Sequence, residues 1–295
     1  MKFLSLLLLC ALSTAAYAQS FDTVQVRPQK ITEYVYMLKG SGGNIGLLKG
    51  PDGLLLIDDQ FAPLSEKILK ATAAIDAGPV RFLVNTHLHG DHTGGNENFK
   101  KMGVTLVAHD FVRARMSKES VGRNGQTVPP RDKSAWPEIT FADKMSFHLN
   151  DEDIELYHFV NGHTDGDIFI KFTKANVIHT GDSFVRGSFP FIDGSNGGGV
   201  EGYITNLEKV LTLIDDNSKV IPGHGNLATK KDVKETYDML VDIRTQVAAA
   251  LKKGKKVEDI PAMNITAKYD ENWGKGFIKG KDFVIIMAQA LAAKK

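Results

Sequence analysis

Apolar residues along the chain fall into short runs separated by glycine, proline and polar clusters, with helical spacing appearing only between them. Residues 31–38, 44–49 and 54–58 are β-branched or apolar runs divided by glycine-rich turns, which predicts an antiparallel meander. The spacing turns helical over 64–77, reads as buried strands over 81–86 and 104–108, and as a helix over 110–116. Residues 117–137 carry prolines, glycines and scattered charge and predict a long surface loop. Short strands return between 139 and 184, at 154–160, 167–173 and 176–179. A helix at 200–215, a strand at 219–221 and helices at 230–252 and 283–293 complete the chain. Strands, helices, strands and helices thus recur with no low-complexity linker, the pattern of one domain built from two similar halves.

The first residues break this pattern. Lys2 precedes an apolar run over 3–12, and Ala16-Tyr17-Ala18 supplies a small-x-small cleavage pattern. Together they predict a secretory signal peptide over 1–18 and a mature chain of 19–295 in the periplasm or outside the cell. The run is too short to span about 30 Å of hydrocarbon, so no stable membrane anchor is expected. No twin arginine precedes it, which points to the general export route. Cys10 is the chain's one cysteine and lies in this leader. The mature protein then has no thiol, forms no disulfide, and must hold any metal through nitrogen and oxygen. Lysine and arginine number 36 against 35 aspartates and glutamates, so charge gives no case for nucleic acid or an acidic membrane as partner. A small-molecule substrate is the expectation.

Residues 85–95 read N-T-H-L-H-G-D-H-T-G-G, three histidines and an aspartate directly after a predicted strand. His87 and His89, two apart on extended backbone, point to one side and can share a metal. Gly90 is expected to act as a pivot, turning the chain so that Asp91 and His92 face a second point nearby. Gly94 and Gly95 are expected to let the backbone pass close behind the ligands. Further along, His163, Asp182 and His224 each follow a predicted strand, so that the set can converge at one edge of a layered sheet core.

In the order His87-x-His89-x-Asp91-His92, then His163, Asp182 and His224, the chain resembles the metallo-β-lactamase superfamily of metallohydrolases. The resemblance implies an α/β fold, a four-layer αβ/βα sandwich of two mixed sheets flanked by helices, with a dinuclear site at one edge. It implies that His87, His89 and His163 hold one metal, Asp91, His92 and His224 the other, and that Asp182 bridges them. Asp58 matches an early aspartate expected to brace the ligand loop. Imidazole and carboxylate suit two Zn²⁺ ions per chain, with iron or manganese as alternatives. Open coordination positions and paired ions acidify water towards a pKa of about 7, which makes hydroxide available to attack an amide or ester carbonyl. Asp91 is the expected catalytic residue, orienting that nucleophile and passing a proton to the leaving atom.

Departures from relatives narrow the reaction. Oxygen-reducing di-iron relatives carry a glutamate where His89 stands, so hydrolysis is favoured over redox chemistry. The β-lactamase subclass with a metal-binding cysteine differs at Asp182, although β-lactam hydrolysis stays open as a main or side activity. Lactone-hydrolysing relatives carry a tyrosine where Val185 stands. A phosphodiesterase or nuclease of the same superfamily, and a non-catalytic exported zinc-binding protein, are the alternatives.

Four other features complete the expectations. Residues 184–199, rich in aromatics and glycine, follow Asp182 and are expected beside the site. Within them Arg186 is a candidate for a substrate carboxylate, and the N–H groups of Gly197 to Gly199 for an anion, against the alternative of a packed loop. The glycine spacing of residues 40–46 does not fit a nucleotide loop and predicts a hairpin over the pocket. His158 and His179 read as hydrogen-bonded core or supporting histidines, and Asp165 and Asp167 as residues that fix the His163 turn.

Overall fold

A computed structural model describes residues 21–121 and 125–292, so the leader and Cys10 lie outside the described residues. The first sheet contains β1 (Arg27–Lys30), β2 (Val35–Lys39), β3 (Ile45–Leu48), β4 (Leu54–Ile57), β5 (Val80–Val84) and β6 (Thr105–His109). A small hairpin of β7 (Ser120–Val121) and β8 (Thr127–Val128) stands apart, and β9 (Ile139–Phe141) closes the first sheet beside β6. The second sheet runs in order through β10 (Lys144–Leu149), β11 (Glu152–His158), β12 (Ile168–Phe172), β13 (Val177–His179) and β14 (Lys219–Ile221). Both sheets are mixed. Strands β1 to β4 form the expected meander, β4, β5, β6 and β9 are parallel, and β13 and β14 are parallel in an otherwise antiparallel second sheet.

The continuous apolar runs are explained by burial of both faces of the strands. On β4, Leu54 and Leu56 pack towards the helices, whereas Leu55 and Ile57 pack towards the second sheet. The same alternation places Ile178 and Val220 against helices and Val177 and Ile221 between the sheets. Outside the first sheet lie α1 (Ser65–Ala73) and α3 (Asn96–Lys101), with Ile68 and Phe99 in its outer core. Outside the second lie α5 (Val200–Leu213), α6 (Lys230–Lys252) and α8 (Gly280–Ala292), joined in one cluster around Tyr203, Ile243 and Phe283. The order helix, sheet, sheet, helix is the expected four-layer α/β sandwich.

Differences from the expectations have local causes. The β1 strand was not expected because all four of its residues are exposed and polar or proline, which leaves no alternation to read. Helix α1 stops at Ala73, and the stretch over 117–137 is not wholly superficial. Ala135 in it is buried, and Arg131 reaches inward to the carbonyls of Leu88 and Thr93 at 3.0 and 3.2 Å. Helices α4 (Asp110–Met116) and α6 begin and end where the sequence places them. For α6 the reason is a capping box, in which the Thr229 backbone and hydroxyl both donate to Asp232. No helix among the described residues is long and apolar enough to cross a membrane.

Candidate metal centre

The ligand motif follows β5 and lies at the edge where the two sheets meet. After β5 the chain bends through Thr86 to Leu88, and His89 is the extended residue that opens a single helical turn, α2 (Gly90–Thr93). Gly90 is not the expected pivot. It is the first residue of that turn, its φ is not positive, and a Cβ there would meet only Arg131, at 3.8 Å. Asp91 and His92 are redirected by helix formation itself. The close approaches are at Gly94 and Gly95, where a Cβ would fall 2.8 Å from the Gln60 carbonyl and 3.0 Å from Asp59.

All seven expected ligands converge. His87, His89, His163 and Asp182 form one group, and Asp91, His92 and His224 a second, with donor atoms within 4.8 Å of one another in each. Nε2 of His87 lies 3.2 Å from Nδ1 of His89, which is 2.9 Å from Nε2 of His163. In the second group Nε2 of His92 lies 3.3 Å from Nε2 of His224, and Oδ2 of Asp91 3.2 Å from that same nitrogen. Asp182 faces both groups. Its Oδ1 is 3.1 Å from His92 and 3.4 Å from His224, and its Oδ2 is 3.7 Å from His163.

The far side of the rings shows that these contacts are not ordinary hydrogen bonds. His163 Nδ1 donates to the Phe191 carbonyl at 2.7 Å, and His89 Nε2 to Asp193 at 2.8 Å. The Thr86 hydroxyl donates to Asp58, which leaves it to accept from His87 Nδ1 at 2.9 Å. With those protons on the outer nitrogens, three lone pairs point at one another inside the first group. Burial first, then neighbouring histidines, pushes the His87 imidazolium well below its usual range, and burial lowers His163 too, so protons do not resolve the clash. A cation does. A tetrahedral ion with bonds of about 2.0–2.1 Å holds its nitrogen ligands about 3.3–3.4 Å apart, near the spacing seen.

The second group carries the opposite charge problem. Burial opposes a charge on His92, but Asp182 and Asp58 overcome it and raise its pKa well above the usual value. Asp182 likewise outweighs burial to push His224 up to about 9. Burial would raise Asp91, yet the His224 bond and His92 hold it down to about 2, and His92 and His224 keep Asp182 ionised against its own burial. Although Asp182 Oδ1 is buried near two histidines, neither contact has hydrogen-bond geometry. An ionised carboxylate that faces both sets of imidazoles, with one oxygen unsatisfied, suits divalent cations.

Supporting contacts extend outward. Asp58 is fully buried with φ of 64°, and accepts from Thr86 N, Thr86 Oγ1 and His92 Nδ1, the bracing role expected of it. Asp167 accepts from the backbone of His163 and Thr164, as expected. His179 donates to the Asn44 carbonyl and accepts from Gly181 N, while His158 binds the Asp167 carbonyl and stacks on His109 at 3.8 Å. Asp193 and Arg131 also support the site, although nothing in the sequence around them points to it. Asp193 orients His89 from 104 residues away, and Arg131 clamps both ends of α2, also donating to Thr93 Oγ1 at 2.6 Å. Neither lies in a local motif.

Two expected substrate contacts are already engaged. Arg186 lines the cavity, but its guanidinium pairs with Asp232 at 2.7 Å and donates to the Leu227 carbonyl. The N–H groups of Gly197, Gly198 and Gly199 donate to Gly194, Asp193 and Gly162 carbonyls, so none is directed at an anion. The 40–46 loop is a connection between strands but does not lie over the pocket as expected: none of its residues lines the cavity, and it sits behind the site with Gly43 against the ring of His92.

Two outcomes test this arrangement. Asp193→Ala is expected to weaken metal binding about 10- to 100-fold, because His89 loses the partner that fixes its ring, and competition with a chromogenic chelator measures it. His179 is buried and its pKa is lowered from 6.5 to about 4, first by burial. The unfolded chain therefore binds the extra proton, and stability is full above pH 6.5 and is lost as pH falls towards 4. The wild type should lose about 2 kcal/mol more than His179→Gln between pH 7 and pH 5 in urea unfolding.

With fold and site in view, the likenesses to known proteins follow. The family model described as the metallo-beta-lactamase superfamily matches residues 38–224. The chain belongs to that superfamily, whose members are mostly hydrolases. It is 26% identical over 208 residues to acyl-coenzyme A thioesterase MBLAC2 of Gallus gallus, covering 64% of this chain and 74% of that one. It is 20% identical over 261 residues to a metallo-beta-lactamase type 2 of Elizabethkingia meningoseptica, covering 85% and 98%. Among solved structures, a metallo-beta-lactamase from Pontibacter korlensis superposes with a TM-score of 0.63 at 18% identity, over 74% of this chain and all of that one. A double mutant of the sec-alkyl sulfatase PisA1 superposes with a TM-score of 0.66 at 13% identity, over 91% of this chain and half of the other. At these identities the structural likenesses show the fold alone.

Proposed function

We propose that the protein is an exported, dinuclear zinc hydrolase that cleaves a small ester, thioester or amide at its carbonyl, β-lactams included as candidate substrates. The observation that carries the reading is the Asp182 carboxylate lying between two imidazole groups at the floor of a cavity of about 750 Å³. His87, His89 and His163 would hold one ion, Asp91, His92 and His224 the other, with Asp182 shared. Bound there, the ions would supply Lewis acidity and a water acidic enough to act as nucleophile near neutral pH.

The chain's own residues do the rest. Asp91 lines the cavity and is held ionised, so it can accept a proton from water and deliver it to the leaving atom. Phe61, Val185, Phe189 and Phe191 give the cavity apolar walls that seat substrate and exclude water. Among the described residues Arg186 is the one lysine or arginine lining it, and its charge is already matched by Asp232. A phosphodiester or nucleic acid would meet no free cation of the protein, which favours the carbonyl reading. Export is supported by the leader pattern of residues 1–18.

Elemental analysis combined with a panel of esters, thioesters, lactones, β-lactams and bis-p-nitrophenyl phosphate tests the proposal. Two zinc ions per chain are expected, with carbonyl hydrolysis abolished by chelation and restored by zinc. Turnover of the phosphodiester alone would move the assignment to a phosphodiesterase, and tight metal binding with no turnover would move it to a zinc-binding protein. Protein recovered from the export compartment is expected to begin at Gln19.

A further inference from the structure

The cavity is unequal at its two ends. His89, Asp91, Asp182 and His224 form the polar floor, and an apolar wall rises from it. Part of that wall, Phe277 and Ile278, lies beyond the residues matched to the superfamily, which end at 224. The chain reaches it through α7 (Asp270–Trp273) and returns into α8.

This late segment is fastened to the loop that follows Asp182. Phe189 N donates to the Trp273 carbonyl at 3.1 Å, and Phe189 pairs with Ile278 in an antiparallel bridge. The Phe189 ring stacks on Phe283 of α8, centroids 5.2 Å apart and planes 16° from parallel. Gly276 lies so close to Ser188 that a Cβ would fall 2.0 Å from its hydroxyl oxygen. Two polar side chains that line this part of the cavity are engaged elsewhere: Ser188 Oγ donates to the Phe189 carbonyl, and Arg186 holds Asp232 and Leu227. Phe277 nevertheless leaves 77% of its surface exposed at the cavity mouth.

We infer that the 273–278 segment is a specificity-determining wall, and that the substrate is a neutral ester or thioester whose acyl part carries a long or bulky apolar group. The inference rests on the carbonyl-hydrolase reading above and narrows it. The acyl side is assigned by position. Phe191 joins the wall to the first ligand group, since its carbonyl holds His163 and its ring lies 6.1 Å from His89. Asp91, which delivers the proton to the leaving atom, belongs to the second group. The leaving group is therefore assigned to the Asp91 side, where Phe61 is the aromatic neighbour, and the acyl group to the side of Phe191. Neither Lys275 nor Lys279 lines the cavity, so contact there is apolar, rewards each added methylene and penalises a charged chain end.

A series of p-nitrophenyl esters from acetate to decanoate tests this on the zinc-loaded protein. kcat/KM is expected to rise about three- to fourfold per methylene until the wall is covered. Phe277→Ala, at an exposed position that the fold tolerates, should flatten that rise. Binding of 1-alkanols from butanol to decanol to the metal-free protein, followed by calorimetry, gives the same comparison without turnover and should tighten with length. Hydrolysis that is flat from acetate to decanoate overturns the inference while leaving the hydrolase assignment standing. An unchanged slope in Phe277→Ala also overturns it. If no ester, thioester or amide is cleaved but alkanol binding still tightens with length, the hydrolase assignment fails and the apolar wall stands as a binding surface.

Discussion

Asp182→Asn is expected to lower hydrolysis by about a thousandfold, a loss of about 4 kcal/mol of transition-state stabilisation, and to reduce metal content to one ion or fewer per chain. The carboxylate faces His163 through one oxygen and the His92 and His224 pair through the other. Asparagine keeps the volume and removes the charge. Both groups then lose their shared anion, and any divalent cations held there would rest on imidazoles and Asp91 alone. Metal analysis with steady-state kinetics reads both effects, and an Asp182→Asn protein with two tightly held ions and wild-type kcat would remove Asp182 from the bridging position. Circular dichroism separates this from misfolding, since Asp182 contributes its carbonyl, and not its side chain, to the bond from Tyr203.

Gly43→Ala should have the next largest effect, although residue 43 touches no substrate. A Cβ there would sit 2.1 Å from Cε1 and 2.5 Å from Nε2 of His92. The ring cannot swing aside, because it is fully buried and its Nδ1 is held by Asp58 at 2.7 Å. Nor can the loop easily lift, because Gly43 N is bonded to the Asp91 carbonyl and Asn44 N to the Gly223 carbonyl. The added methyl must displace His92, a member of the second group. Expected results are loss of one ion per chain, an activity loss of at least about a hundredfold, and destabilisation of about 1–3 kcal/mol. Thermal unfolding and metal stoichiometry measure the two parts. A variant that keeps both ions and full stability would show that the loop does not abut His92.

The hairpin loop carrying Gly43 illustrates how far residue order can be read. Its glycine spacing excludes a nucleotide loop and places it between strands, and β2 and β3 do flank it. What it abuts is not written locally. Gly90 is the converse case, since a glycine between ligands suggests a pivot, while the backbone simply enters a helical turn. Arg186, placed after Asp182, has the chemistry to bind a substrate carboxylate, yet Asp232 at the start of α6 reaches it first.

By itself the sequence determined the layered α/β class, the limits of α4 and α6, and the seven histidines and aspartates that converge. These are local properties: buried strands need continuous apolar runs, helices need their caps, and candidate metal ligands at strand ends leave a short, dense signature of histidine and aspartate. Only the tertiary structure decided which imidazole nitrogen faces inward, through partners such as Asp193 at 104 residues' distance from His89. It alone brought Arg131 under α2 and set Phe277 and Ile278 beside Phe189. Such contacts depend on how whole layers pack, and a single aspartate or phenylalanine far along the chain has no periodicity that announces its partner.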